Sequence, residues 1–195
     1  VPENIRSITD TLFVKKARSV MDNYGLKHHD YMSTTKHLGE IHFNQGSTNA
    51  RSSATSYALN NTISTLIEIR GVGIGKTSFK RRVNSAFSIA LSYLKTSFEN
   101  SDFIKSELKK SLSSNSSDIV VTSSRTVEKE MIQTIDLNSN KIIDYEVTIR
   151  DALRSNPILI RDRPSGYLIL EEHIELIEKL RVLGLEVNTI QNDSV

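Results

Sequence analysis

The chain contains neither cysteine nor tryptophan. The first absence removes disulfides, thiolate nucleophiles and thiolate metal ligands together, leaving any metal to histidine and carboxylate. It fits any cellular compartment. With no tryptophan and aromatic residues at only 6%, a row of stacking platforms for nucleic-acid bases is not expected. Proline and glycine are scarce, at 3 and 8 residues of 195, which excludes collagen-like and proline-rich disordered classes. Long apolar runs are missing as well. The segments around Ile67 and from Tyr167 to Leu170 fall far short of the ~18 residues a membrane span needs, so a soluble protein without a membrane span is expected. The first residue is Val1, and no basic stretch leading into an apolar one follows it. Either processing or excision from a longer chain is expected.

What is present divides unevenly. The net charge is +2, but residues 1–100 carry 13 Lys/Arg against 7 Asp/Glu while residues 101–195 carry 12 against 16, so the halves are +6 and −4. Two parts with different surfaces are implied, and the length suits one domain with an appendage. No basic stripe interleaved with aromatics points to nucleic acid.

Ile5, Ile8, Leu12, Phe13, Ala17, Val20, Met21 and Tyr24 recur at three and four, which predicts an amphipathic helix over 3–24, with Pro2 at its start and Gly25 at its stop. Residues 27–57 are polar and histidine-rich and predict a long loop, only the run around Ile41 looking strand-like. TISTLIEI (62–69) is rich in β-branched and apolar residues and predicts a buried strand. A GVGIGK turn follows, then a helix over 77–96 with Phe79, Val83, Phe87, Ala90, Leu91 and Leu94 on its apolar face. The serine-rich segment 111–117 predicts a linker. Beyond it, strands are expected at 118–122, 128–137 and 141–149, with a turn at Asn138-Ser139-Asn140, followed by an extended 161–170, a helix from Glu171 to Leu183 and a last strand at 185–190. The expected fold is α/β with residues 1–110 as one domain and 118–195 as a small α+β domain.

Several groups could carry chemistry. Glu68 lies among Leu66, Ile67 and Ile69 near a strand end, with Arg70 on the same face. It is either one half of a plain ion pair or a general base held at the mouth of a sheet. Gly71 to Thr77 resembles a phosphate-binding loop between strand and helix, but is one residue short, with Arg70 where the first glycine belongs. A nucleotide-binding module around 71–77 is therefore a lesser alternative, as is a non-catalytic interaction domain. His28, His29, His37 and His42 sit on the polar stretch with Glu40, where solvated side chains are expected rather than a metal site; His173 on the later helix is expected at the surface.

Taken together, NNTISTLIEIRGVGIGKTSFKRRV (60–83), with the helix before it, resembles the C-terminal part of a zinc carboxypeptidase catalytic domain of the carboxypeptidase A-like family. A late strand there ends in Glu followed, one residue on, by Arg, matched by Glu68 and Arg70. The glycine turn and the run Phe79, Arg81, Arg82, Val83 resemble a bacterial branch of that family, and Arg161, Arg163, Pro164, Gly166 and Tyr167 resemble an element of its appended C-terminal domains. The resemblance implies part of an α/β/α sandwich with a mixed sheet, strand 62–69 inside it. It implies a metallocarboxypeptidase acting on a peptide substrate, with Glu68 as general base, Arg70 orienting it and Tyr57, eleven residues earlier, at the substrate. It also implies Zn²⁺ whose ligands lie outside this chain, in an N-terminal part of the same catalytic domain, and a periplasmic or secreted location. His37-x-x-Glu40 is too close to Glu68 and beyond the first helix, so it is not the family's metal motif, and Ser53-Ala54-Thr55 stands where the branch carries a Gly-Arg-Asn-like element.

Overall fold

Pro2, at φ −53°, opens the first helix at a position where its missing N–H forfeits no hydrogen bond. In the computed structural model, which describes residues 1–47, 49–71, 73–113 and 116–190, this helix continues to Asn23. It is α-helical over Glu3–Ile8 (α1), π-helical over Thr9–Val14 and α-helical again over Lys15–Asn23 (α2). Ile5, Ile8, Phe13, Ala17 and Met21 are buried along one face. The step from Ile8 to Phe13 is five residues rather than three or four, and the π turns fall there. A wider turn returns Phe13 to the face that Ile8 occupies. Gly25, at φ +66°, ends the helix as expected.

Two further helices pack beside this one, Phe79–Glu99 (α4) and Ser101–Ser113 (α5), after a short helix Ser53–Leu59 (α3). The Phe13 and Tyr93 rings meet with centroids 5.2 Å apart. Asn4 Nδ2 donates to the Glu107 carbonyl at 2.8 Å, joining the first helix to α5. The inward face of α4 is its less apolar one, with Ser88 and Thr96 buried. Phe79, Val83, Phe87, Leu91, Leu94 and Phe98 point away and are exposed.

The sheet has the order β1-β2-β4-β3, built from Met32–His37 (β1), Glu40–Gln45 (β2), Asp118–Asp136 (β3) and Lys141–Asp162 (β4). β1 and β2 form an antiparallel hairpin across Leu38-Gly39, both at positive φ (50° and 87°), the turn that matches strand twist. β2 runs parallel to β4, with Phe43 opposite Ile149 and Gln45 opposite Asp151. Val147, Ile149 and Ala152 are the buried apolar residues of β4, and His42 is buried on β2. Helices with a mixed sheet make this an α/β fold, as expected.

The placement of strands differs from the sequence reading. Residues 27–57 are not one long loop: they hold β1, β2 and α3. Residues 62–70 have no regular secondary structure and no place in the sheet, and Leu66 and Ile67 are exposed. A strand exists only when another backbone takes its N–H and C=O groups, and no described strand lies beside this one. The first three positions of the expected 111–117 linker belong to α5, where the Ser111 hydroxyl donates to Asn61 Oδ1; Ser114 and Asn115 lie outside the described residues. The strands expected at 118–149 merge into long β3 and β4 and join the N-terminal hairpin in one sheet.

The chain divides into two compact units, Val1–Arg161 and Asp162–Val195. In the second, a single 3₁₀ turn at Glu171–His173 leads into Ile174–Val182 (α6), and Gly184, at φ +78°, follows it. Residues 185–190 carry no strand.

Asp151 closes the buried end of the sheet. It is 3% exposed, accepts from the Leu153 N–H at 2.7 Å and from Arg154 Nε at 2.8 Å, and Arg154 also pairs with Glu128 and Glu130 on β3. Burial pushes the Asp151 carboxyl up, but the Arg154 and Leu153 hydrogen bonds together outweigh it and hold the carboxyl below its usual range. A carboxylate depressed on folding stabilises above its unfolded pKa, and that stabilisation is lost as pH falls through the folded value. Asp151→Asn is therefore expected to cost about 1.5–3 kcal/mol at neutral pH and to flatten the acid limb of a urea-denaturation series. An acid limb unchanged from that of the native chain would refute this.

Candidate functional site

Glu68 and Arg70 lie at the end of the 62–70 segment, and both side chains are exposed. Among the described residues no ion pair joins them, so the plain strand-end pair weighed from the sequence is not formed. Glu68 is an exposed carboxylate on a backbone without lateral partners, free to meet a molecule from solvent. Tyr57, on α3, is also exposed, at 62%. No hydrogen bond or ion pair among the described residues links Tyr57, Glu68 and Arg70, so the three are not brought together by contacts of their own.

The loop after Arg70 is fastened to the helix that follows. The Arg82 guanidinium, one turn into α4, donates from Nη1 to the Gly71 carbonyl at 3.0 Å and from Nη2 to the Gly75 carbonyl at 2.5 Å. Its guanidinium carbon lies 5.8 Å from the Phe79 ring centroid, a cation–π distance. A methyl group on Gly71 would meet Arg82 Nη1 at 2.8 Å, so the close approach uses the missing side chain. Gly73 and Gly75 take positive φ, 80° and 53°. Arg82 thus fixes the loop immediately beyond Glu68 and Arg70. In the sequence Arg82 stands out only within the run Phe79, Arg81, Arg82, Val83; the signal that marks it is a basic residue three positions after Phe79 at the first turn of α4.

Part of this turn is already engaged in hydrogen bonds of its own. A phosphate cradle requires free backbone N–H groups facing one point. Here the Thr77 N–H is taken by the Ile74 carbonyl at 3.0 Å and the Phe79 N–H by the Lys76 carbonyl at 3.2 Å, while Gly71 and Gly75 turn their carbonyls to Arg82. Val72 of the turn lies outside the described residues.

The histidines do not converge. His28 pairs with Asp22 at 3.0 Å, and His29 Nδ1 lies within hydrogen-bonding distance of the Asp30 carbonyl, at 2.6 Å. His37 and His42 meet ring to ring at 5.1 Å, with Glu40 at 3.6 Å from His42 Nε2. His173 is exposed beside Glu172. Among the described residues no group of three or more His, Asp or Glu side chains is arranged to hold a metal ion. A cavity of about 380 Å³ opens at the start of the 62–70 segment, lined by Phe13, Asn61, Ile63, Tyr93, Ile104 and Leu108, away from Glu68. No helix among the described residues is long and apolar enough to cross a membrane.

The chain is similar along nearly its whole length to fungal proteins named carboxypeptidase 2. Identity is 24% with that of Trichophyton rubrum and 22% with that of Trichophyton tonsurans, over 97% and 100% of this chain. With the probable carboxypeptidase 2 of Arthroderma benhamiae it is 23%, over 97% of this chain. The chain spans 36% to 37% of the length of these relatives. No family model matches the chain. No solved structure matches it. The relatives support the carboxypeptidase part of the expected resemblance; being fungal, they do not support its bacterial branch.

Two measurements follow from the loop. The chain is expected to bind no ATP at millimolar concentration; calorimetric binding abolished by Lys76→Ala would overturn that expectation. Arg82→Met, which keeps the aliphatic stem and removes both loop hydrogen bonds, is expected to lower stability by about 1–3 kcal/mol and to increase protease cutting within 71–78. A stability loss without new cleavage there would assign Arg82 to helix packing alone.

Proposed function

We propose that this chain is the part of a metallocarboxypeptidase that carries the general base, and that the base is Glu68. The similarity to fungal carboxypeptidases 2 over 97% of the chain carries this reading. The exposed Glu68-Ile69-Arg70 ahead of a clamped loop supports it. The substrate is a peptide, cleaved at its C-terminal residue. Glu68 takes the proton of the attacking water and delivers it to the leaving amine, and Arg70 and Tyr57 act beside it on orientation and substrate. The Zn²⁺ that the reading requires takes its ligands, in this proposal, from an N-terminal part of the same catalytic domain outside this chain. A periplasmic or secreted location goes with the same reading.

The test is Glu68→Gln in the longer gene product, assayed on an N-blocked dipeptide. The amide is nearly isosteric and cannot accept the proton, so kcat should fall by about 10²–10⁴-fold. Because Glu68 is exposed and has no ion pair with Arg70, the thermal midpoint should hold, with a stability change within about 0.5 kcal/mol. Unaltered hydrolysis by the variant would end the assignment. A fall in stability that tracks the fall in rate would make Glu68 structural.

A further inference from the structure

A guanidinium carries its N–H donors in one rigid plane, so it can hold two acceptors at a fixed separation, which a lysine ammonium cannot do. Arg82 uses two of those donors on one loop. Nη1 donates to the Gly71 carbonyl at 3.0 Å and Nη2 to the Gly75 carbonyl at 2.5 Å, so the two ends of the turn are bridged by a single side chain of α4. Between them the turn has little to fix its shape, because Gly73 and Gly75 both sit at positive φ, where glycine moves most freely. Gly71 leaves the room that the bridge occupies: a methyl group there would meet Arg82 Nη1 at 2.8 Å. The Phe79 ring lies under the guanidinium, 5.8 Å from its carbon.

The place of this bridge along the chain decides what it controls. Gly71 directly follows Arg70 and is three residues after Glu68, whereas the anchor on the other side, Asn61, is seven residues before it and bonds to the Leu108 carbonyl at 3.0 Å. The nearer anchor sets the position of Glu68. A general base works only within hydrogen-bond reach of the proton it takes, and a displacement of about 1 Å costs on the order of a hundredfold in rate. Among the described residues no hydrogen bond or ion pair joins Arg82 to Glu68, so any effect of Arg82 on the base passes through the loop.

We infer that Arg82 is a positioning residue for the general base: its bridge from the first turn of α4 to the Gly71 and Gly75 carbonyls sets where Glu68 stands, and it acts on the reaction only through Glu68. The inference rests on the proposed carboxypeptidase reading, in which Glu68 is the base. The neighbouring Arg81 supplies a control within the same turn. It carries the same charge, is exposed and takes no part in the bridge.

The test is Arg82→Lys in the longer gene product, which keeps the charge and most of the aliphatic stem but removes the fork, assayed on an N-blocked dipeptide well below the thermal midpoint. Its kcat should fall on the order of ten- to a hundredfold while KM stays within about twofold, and Arg81→Lys should change neither. In a Glu68→Gln background the same Arg82→Lys change should leave the residual rate where it was, because residues that act through one group are not additive. Hydrogen exchange reads the loop without reference to activity: the Thr77 amide, bonded to the Ile74 carbonyl inside the bridged turn, should exchange at least about tenfold faster in Arg82→Lys. An undiminished kcat in Arg82→Lys, with Glu68→Gln inactive, would overturn the positioning role and leave the carboxypeptidase reading standing. An equal loss of rate in both backgrounds would overturn it too, since Arg82 would then act by another route. Unchanged exchange at Thr77 would show that the bridge does not fix the loop, with the same consequence. Full hydrolysis by Glu68→Gln would remove the base, and the reading and this inference would fall together.

Discussion

The contact between the first helix and α4 governs the arrangement around Glu68. Ile5, Ile8, Phe13, Ala17 and Met21 supply most of the fully apolar burial in the helical part, and Phe13 meets Tyr93 of α4 at 5.2 Å. The five-residue spacing from Ile8 to Phe13 would rotate an α-helix away from this contact, and the π turns at Thr9–Val14 correct it. Once α4 is held by the side that carries Ser88, Tyr93 and Thr96, its six-residue apolar stripe must face outward. The orientation is decided by the neighbour that is there, not by the strongest face of the helix.

Glu68 inherits its setting from that orientation. The loop that follows it is bound to the first turn of α4 by Arg82, through the Gly71 and Gly75 carbonyls. Upstream, Asn61, at φ 54°, donates to the Leu108 carbonyl at 3.0 Å and accepts from Ser111. Residues 62–70 are thus anchored at both ends and unpaired between.

The sheet obeys a separate constraint. β2 is short and its hairpin partner β1 is largely exposed, so the hairpin gains burial only by lying parallel to β4. At that seam His42, Val147, Ile149, Asp151 and Ala152 are all buried. Arg154 neutralises the one carboxylate among them and reaches two more on β3. A charge at the seam is tolerated because each Asp151 oxygen meets a donor, Oδ1 the Leu153 N–H and Oδ2 the Arg154 guanidinium.

Much of this was legible in local chemistry. The three-and-four spacing of Ile5 to Met21, Gly25 and Gly184 at helix ends, the amphipathic run from Phe79 and the Asn138–Asn140 turn each concern a few neighbouring residues, and each appears where its sequence implies. The residues of the candidate site were legible only as a pattern, Glu68 and Arg70 before a glycine turn. What local chemistry could not decide is pairing. MSTTKH carries too little apolar alternation to announce a strand and became one because EIHFNQ, whose Ile41 run does look strand-like, offered it a backbone across the Leu38-Gly39 turn and itself paired with β4. TISTLIEI has every compositional mark of a strand and remains unpaired because no described backbone lies beside it. A helix closes its hydrogen bonds within itself and is determined by its own residues, whereas a strand is completed only by a neighbour that the tertiary structure does or does not provide.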